Sequence, residues 1–567
     1  MLRLWAPGAT PLSEREAANA LESWHVFRGE PVSVVAGPFL IFGNALLIAL
    51  LGDSDTAVRL LPALAGTAML AFPYLLRDYL GRWGALASTA LLAFSPVLVL
   101  FSRSATSYII VATLTLAVVA FGPRYWEHRS PFDLVATAVA LALLLNSGPA
   151  AYVHVIALGT FLVLLAASTK WQVPGDEKET TGGLQLGSRD LRLACYVFAG
   201  VGVLVSTGLL GNIRGLQEGL LGGISGWFRL FSAPSDGRPL STYFSLLLTY
   251  EALTVVFGIA GVVALAFRRT SFRLFLAWWA VIAFLLVSLA RDKQPGLALL
   301  PLVPLALLAG GFIAELMSSL RDSSFRRTAG VFTVFILPWI YLVTLALGRF
   351  TQPYDEVSNY LKDKQWPILG TMAPEALPTV LGVAPVVLLA LFLGVWAVRR
   401  GVLPTARMFA IAMLAVLVLW TSDNVFTLSY QRAASPLEPI VERPTSRDVR
   451  TLVQDVRAAQ DSLQMQGKNA EEKTIVAETG LRLPLAWYLR DWPVTYAAQV
   501  PAGVAMAITE VKTAAPQQGS YAAQRYQMTL SWRADKMDLG KWWRWLAYRD
   551  AKGQFQNRDV VLYVRRQ

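Results

Sequence analysis

From about Ala57 to Trp420 the chain is a succession of apolar runs. Most of them approach the roughly 20 residues a helix needs to cross a bilayer. Such a run meets no water inside the membrane, so its backbone N–H and C=O groups must pair within it, and only a helix does that. Runs at 57–76, 84–101, 107–122, 133–146, 148–168, 191–211, 242–267, 272–290, 296–318, 329–347, 377–398 and 405–422 predict about twelve spans; 133–146 is short for one. Composition agrees, since 55% of the 567 residues are hydrophobic and only 16% are charged, against roughly 25% in a soluble domain. A disordered chain, a collagen, a disulfide scaffold and an ordinary soluble enzyme are excluded. The net charge of +12 therefore reads as positive-inside loops rather than a nucleic-acid surface. Cys195 is the one cysteine, so no intrachain disulfide forms.

The short loops set an orientation. Basic clusters stand at Arg77/Arg82, Arg124/His128/Arg129, Arg268/Arg269/Arg273, Arg321/Arg326/Arg327 and Arg399/Arg400/Arg407. Neighbouring clusters are separated by even numbers of spans, which puts all five on the cytoplasmic side of a plasma membrane. The opposite side receives Ser102–Ser107, 212–241, Arg291–Gly296, 349–375 and the carboxyl-terminal region. Residues 1–56 form a first extracytoplasmic loop with interfacial helices. Within it Phe39–Leu51 is apolar but only about 13 residues long, too short to span and suited to lie against the outer face. The chain opens on Met1-Leu2-Arg3-Leu4-Trp5 with no signal peptide, so either a span lies upstream of the sequence, the reading this topology favours, or the 39–51 segment itself crosses.

Residues 57–422 are then the membrane domain, and 423–567 a soluble extracytoplasmic α/β domain. In the latter, strand-like runs at Thr474–Glu478, Val494–Ala497, Val504–Ile508, Gln527–Trp532 and Val560–Val564 are interleaved with helical patterns at Ser446–Ser462 and Leu483–Arg490. The Gly-, Thr- and charge-rich stretch 170–190 reads as a flexible cytoplasmic loop, and 212–232, with Trp227 and Phe228, as an interfacial helix.

Chemistry concentrates in the outer loops. Glu14 and Glu16, at the start of an amphipathic helix carrying Leu21, Trp24 and Phe27, are candidates for a general base or for ligands of a divalent cation such as Mg or Mn. Ser13-x-x-Glu16 is also a capping box, and the two roles are compatible. Arg103, at the outer end of a span, can pair with a phosphate or simply snorkel. Together with Tyr108, Arg291 and Lys293 it places an excess of cationic candidates where positive charge is least expected, favouring an anionic ligand. His25, His128 and His154 are scattered, and no phosphate-binding glycine loop is present. Glu251 alone lies deep in a span, thin support for a proton-coupled transporter.

Gly37–Arg103 (GPFLIFGNALLIALLGDSDTAVRLLPALAG…PYLLRDYLGRWGALASTALLAFSPVLVLFSR) resembles the GT-C membrane glycosyltransferases, among them the protein mannosyltransferases and aminoarabinose transferases. Arg291–Gly310 and Pro484–Asp491 (PLAWYLRD) extend the resemblance, nearest to an archaeal and Chloroflexi-type branch named as flippase-activity-associated proteins. It implies a polytopic GT-C fold, a first outer loop that supplies a catalytic carboxylate, and transfer of a sugar from a polyprenyl-phosphate donor to a protein, lipid or glycan acceptor on the outer face. Glu14 or Glu16 would be the catalytic or metal-binding group, and Arg103, Tyr108, Arg291 and Lys293 would hold the lipid phosphate. The sequence also departs from that pattern. Arg15 stands where the branch has Asp, Ala36 where it has His, Ser107-Tyr108 near an expected acid, and Gly296 where it has Trp. Such changes suit a catalytically degenerate scaffold that binds a lipid-linked glycan or a partner membrane protein. That is the alternative to an active transferase.

Overall fold

The computed structural model describes residues 2–30, 32, 37–167, 188–234, 237–267, 269–350, 376–441, 443–465, 474–501, 503–513, 520–532, 542, 545–546 and 555–565. Most of the 170–190 and 349–375 loops, Ala36 and Arg268 lie outside those residues. Seven described helices are long and apolar enough to cross a membrane, and nine spans result if each of two bent pairs counts as one. Pro131–Leu145 and Ala151–Ala167 are shorter apolar helices. The run read at 191–211 begins earlier, in the helix Ser188–Ser206, with Arg189, Asp190 and Arg192 in its first turns.

The bends have physical causes. Pro96 has no N–H, so it breaks the helix that would run on from Arg77–Ala93, and Pro96–Ser102 leaves at 58°. Arg3 Nη2 donates at 2.5 Å to the Leu92 carbonyl, four residues before that proline. The second break, 109° between Thr242–Tyr250 and Ala252–Ala264, falls at Glu251. Its buried carboxylate accepts from Ser95 Oγ at 2.5 Å, from the Val97 N–H at 2.9 Å and from Thr254 Oγ1 at 3.2 Å. One side chain thus fastens both breaks together.

The amino-terminal region packs as α1 (Glu14–Phe27), α2 (Pro38–Leu51) and α3 (Asp55–Ala68). Ser13 and Glu16 form both halves of the capping box that starts α1, and Ser54 caps α3. α2 buries Leu40, Ile41, Ala45 and Ile48 while Leu46, Leu50 and Leu51 stay exposed, so it is apolar on both sides.

Among its described residues the carboxyl-terminal domain holds five strands, β1 (Ile475–Glu478), β2 (Val494–Ala497), β3 (Met506–Glu510), β4 (Tyr521–Trp532) and β5 (Phe555–Arg565), in the order β2-β1-β3-β5-β4. β1 pairs in parallel with β2 and β3, whereas β5 runs antiparallel to β3 and β4. The helix Asp448–Met465 lays Val449, Leu452 and Val456 against Ile475, Ile508, Val560 and Leu562.

This domain is fastened to the start of α3. The Asp55 carboxylate accepts from Arg450 Nη2 at 2.9 Å, Trp487 Nε1 at 2.9 Å and Tyr488 Oη at 3.0 Å. Arg490 donates to the Asp53 carboxylate and carbonyl at 2.9 and 2.7 Å. Tyr488 Oη also accepts from the Leu12 N–H at 2.7 Å, and Trp487 is buried with Leu12, Ala17, Ala20, Ile48, Val58 and Ala105. The PLAWYLRD stretch is therefore a docking element. Asp55→Ala is expected to weaken docking by about 2 kcal/mol, the worth of a few charge-assisted hydrogen bonds. Limited tryptic digestion checks this: cleavage at Arg432 or Arg447 should be faster in the variant than in wild type.

Candidate functional site

A cavity of about 180 Å³ lies where α1, the turn after Pro96–Ser102, the start of the Pro295 loop and the 433–445 segment converge. Glu14, Arg15, Glu16, Arg59, Arg103 and Tyr108 line it, with Gly296 and Arg443. Four of the six residues singled out in the sequence thus meet at one place.

Glu16 and Glu14 differ sharply there. Glu16 is 5% exposed, and its carboxylate takes Arg59 in a two-pronged pair, Nε to Oε1 and Nη2 to Oε2, both 2.8 Å. Oε1 also accepts the Ala105 N–H at 2.8 Å, and Oε2 the Ser13 N–H at 3.0 Å. The remaining donors of Arg59 reach the Pro7, Thr10 and Pro11 carbonyls at 2.7, 2.8 and 3.2 Å. Burial alone would raise the Glu16 carboxyl, but the Arg59 charge and these hydrogen bonds outweigh it and hold it below the usual carboxylate range. Glu14 is half-buried, 3.4 Å from Arg443 and 3.7 Å from Arg558.

This arrangement corrects the reading of Glu14 and Glu16 as a metal pair. A divalent cation would have to displace Arg59 from a saturated carboxylate. Among the described residues no group of three or more His, Cys, Asp or Glu side chains converges. The donor set does not fit Mg or Mn.

The cationic candidates also separate. Arg103 lines the cavity, donates to the carbonyls of Leu2, Trp5 and Ala6, and lies over the Tyr430 ring. Arg15 donates at 2.8 Å to Tyr108 Oη, which donates in turn to Gln294 Oε1. Arg291 is exposed and does not line the cavity. Buried Lys293 donates to the Ser288 and Ala290 carbonyls at 2.7 and 2.8 Å, closing the end of Ser271–Leu289. A side chain on Gly296 would sit 2.2 Å from the Tyr108 ring. Three departures noted above, Arg15, Tyr108 and Gly296, are thus neighbours in one wall.

Arg59, Arg443 and Arg558 escaped the sequence reading. Arg59 had a signal: a charged group in an apolar run needs a partner. Arg443 and Arg558 had none, because only the docked domain brings them to Glu14.

The architecture, broken membrane helices beneath a cavity lined by charged side chains with a small α/β domain over it, is a GT-C fold. The family model for dolichyl-phosphate-mannose-protein mannosyltransferase matches residues 35–175. The chain is similar to the crystal structure of ArnT from Cupriavidus metallidurans bound to undecaprenyl phosphate, with TM-score 0.57 and 16% identity, covering 99% of this chain and 96% of that one. For the apo crystal structure of that protein the values are 0.50, 16%, 98% and 93%. No protein of curated function matches the sequence.

Glu16→Gln is expected to cost about 3–5 kcal/mol by leaving Arg59 buried without its counter-charge. Because the Glu16 carboxyl is held low, its contribution is complete above the ordinary carboxylate range and is lost as pH falls through the lowered value. Thermal unfolding in detergent across acid pH checks both points: the acid loss should be steeper in wild type than in the variant.

Proposed function

We propose that the chain is a membrane glycosyltransferase that takes a sugar from a polyprenyl-phosphate donor and passes it to an acceptor hydroxyl on the extracytoplasmic face. The observation that carries this reading is the cavity itself, where one half-buried carboxylate, Glu14, paired with Arg443, shares the lining with Arg15 and Arg103. The cavity is built on the fold in which ArnT was crystallised with undecaprenyl phosphate.

In this reading Glu14 takes the proton from the acceptor hydroxyl as its oxygen bonds to the sugar's anomeric carbon. The bond from that carbon to the phosphate oxygen breaks, and the polyprenyl phosphate leaves with the electron pair. Arg15, Arg103 and Arg443 stabilise the charge growing on the phosphate, and the Tyr108 hydroxyl orients Arg15. Glu16 is a positioning residue: its bonds to Arg59, Ser13 and Ala105 fix the turn that presents Glu14. Lys293 closes a helix end behind this wall, and Arg291 stands outside it.

One observation favours the other reading, a scaffold that binds a lipid-linked glycan or a partner without turning it over. Arg15 puts a cation, bonded to Tyr108 Oη, into the cavity wall directly beside Glu14 in the chain, at the position where the resemblance implies an acid. The two readings separate on one pair of variants. For a transferase, Glu14→Gln lowers transfer from a polyprenyl-phosphate sugar at least about a hundredfold. Native mass spectrometry should then still find undecaprenyl phosphate retained, whereas Arg15→Ala with Arg443→Ala should release it. Retention without turnover in wild type, unaltered by Glu14→Gln, establishes the scaffold.

A further inference from the structure

The geometry points to a separate subsite for a neutral, polyhydroxylated acceptor at the carboxyl edge of β1 and β3, joined to the cavity through Glu14; naming this acceptor class rests on the transferase reading above. β1 lies between β2 and β3 and is parallel to both. The chain leaves the carboxyl end of β1 toward β2 and later crosses to β3 on the other side, the reversal of direction that defines a switch point at the ends of β1 and β3. Open α/β sheets bind ligands at such a switch point.

Polar groups fill this edge. Glu478, the last residue of β1, accepts through Oε2 from the Glu510 N–H at 2.9 Å and from Thr513 Oγ1 at 3.0 Å, tying the two strand ends together. From β5, Arg558 donates through Nε to Glu510 Oε1 at 2.5 Å and through Nη2 to the Gly480 carbonyl at 2.6 Å. A Cβ on Gly480 would lie 2.7 Å from that Nη2, so a residue without a side chain lets the guanidinium lie flat over the backbone. The third nitrogen, Nη1, is 3.7 Å from Glu14 Oε1, and Arg443 Nη1 is 3.4 Å from Glu14 Oε2.

The result is a row, Glu510–Arg558–Glu14–Arg443, in which carboxylates and guanidiniums alternate from the strand ends to the cavity. The Arg558 and Glu510 side chains keep 30% and 27% of their surface open, so a ligand can reach them. A phosphate needs cations in excess of anions, and this row has equal numbers of each. Vicinal hydroxyls suit it, because each hydroxyl both donates and accepts, and neighbouring ones can bridge from carboxylate to guanidinium. An acceptor seated there would bring one hydroxyl to Glu14, while the cation-rich cavity keeps the phosphate of the donor.

The test uses the full chain in nanodiscs on an array of neutral oligosaccharides and their phosphorylated counterparts, with undecaprenyl phosphate retention measured in parallel by native mass spectrometry. Neutral oligosaccharides should bind wild type at least as well as the phosphorylated forms. Arg558→Gln and Glu510→Gln should each weaken that binding at least about tenfold, as loss of a charge-assisted hydrogen bond does. Arg558→Lys should restore part of it, and all three variants should retain undecaprenyl phosphate like wild type. The proposal is overturned if phosphorylated forms are preferred, if no neutral oligosaccharide binds, or if neutral binding is indifferent to both substitutions. Loss of undecaprenyl phosphate from wild type would instead overturn the cavity reading, whatever the array shows. Glu510→Gln preserves side-chain shape and guards against misfolding as the cause of a loss.

Discussion

The pair between Arg59 and Glu16 is what the cavity end of the molecule is built around. A guanidinium and a carboxylate, both buried, are tolerable only because every donor on one and both oxygens on the other are matched. Through those bonds α3 holds the 7–11 segment, the cap of α1 and the Ala105 turn at fixed positions. One turn earlier on the same helix, Asp55 holds the carboxyl-terminal domain. The first turns of α3 are therefore a hub from which the cavity's floor and its roof are both hung.

The hub explains why two acidic residues so close in sequence have such different environments. Glu16 points back into the fold at the third position of its helix, and capping geometry turns it toward Ser13. Glu14, two residues before it, faces the cavity and the docked domain. Their separation is a matter of helix phase, so a shared metal between them would require both to face the same way. Across the cavity, the contact of Arg15 with Tyr108 and of Tyr108 with Gly296 makes those positions one physical unit. The Arg15 guanidinium is accommodated by the hydroxyl of Tyr108. The ring of Tyr108 is accommodated in turn by the missing side chain at 296.

Much of the fold was legible because it follows from local rules. Apolar runs marked the membrane helices, and alternating patterns marked all five strands to within a few residues at one or both ends. Ser13-x-x-Glu16 marked the start of α1. The breaks at Pro96 and Glu251 were less legible: the run 84–101 and the run 242–267 each read as one span, since hydropathy carries no information about direction. Lys293 was read as a phosphate ligand, and nothing in RDKQP distinguishes a lysine that reaches a ligand from one that folds back onto the carbonyls ending its own helix.

The sequence by itself determined that this chain lives in a membrane as a helical bundle with an α/β domain at its carboxyl end, because burial of apolar surface and backbone pairing are decided residue by residue along the chain. It also marked the start of α1 as the place of Glu14 and Glu16. Only the tertiary structure decided which carboxylate faces the cavity, and which arginines reach it from about 430 and 545 residues away in the chain. The reason is that charges act through space. An ionisable side chain takes its role from whatever opposite charge or hydrogen-bond partner the fold brings within a few ångströms, and chain separation says nothing about that distance.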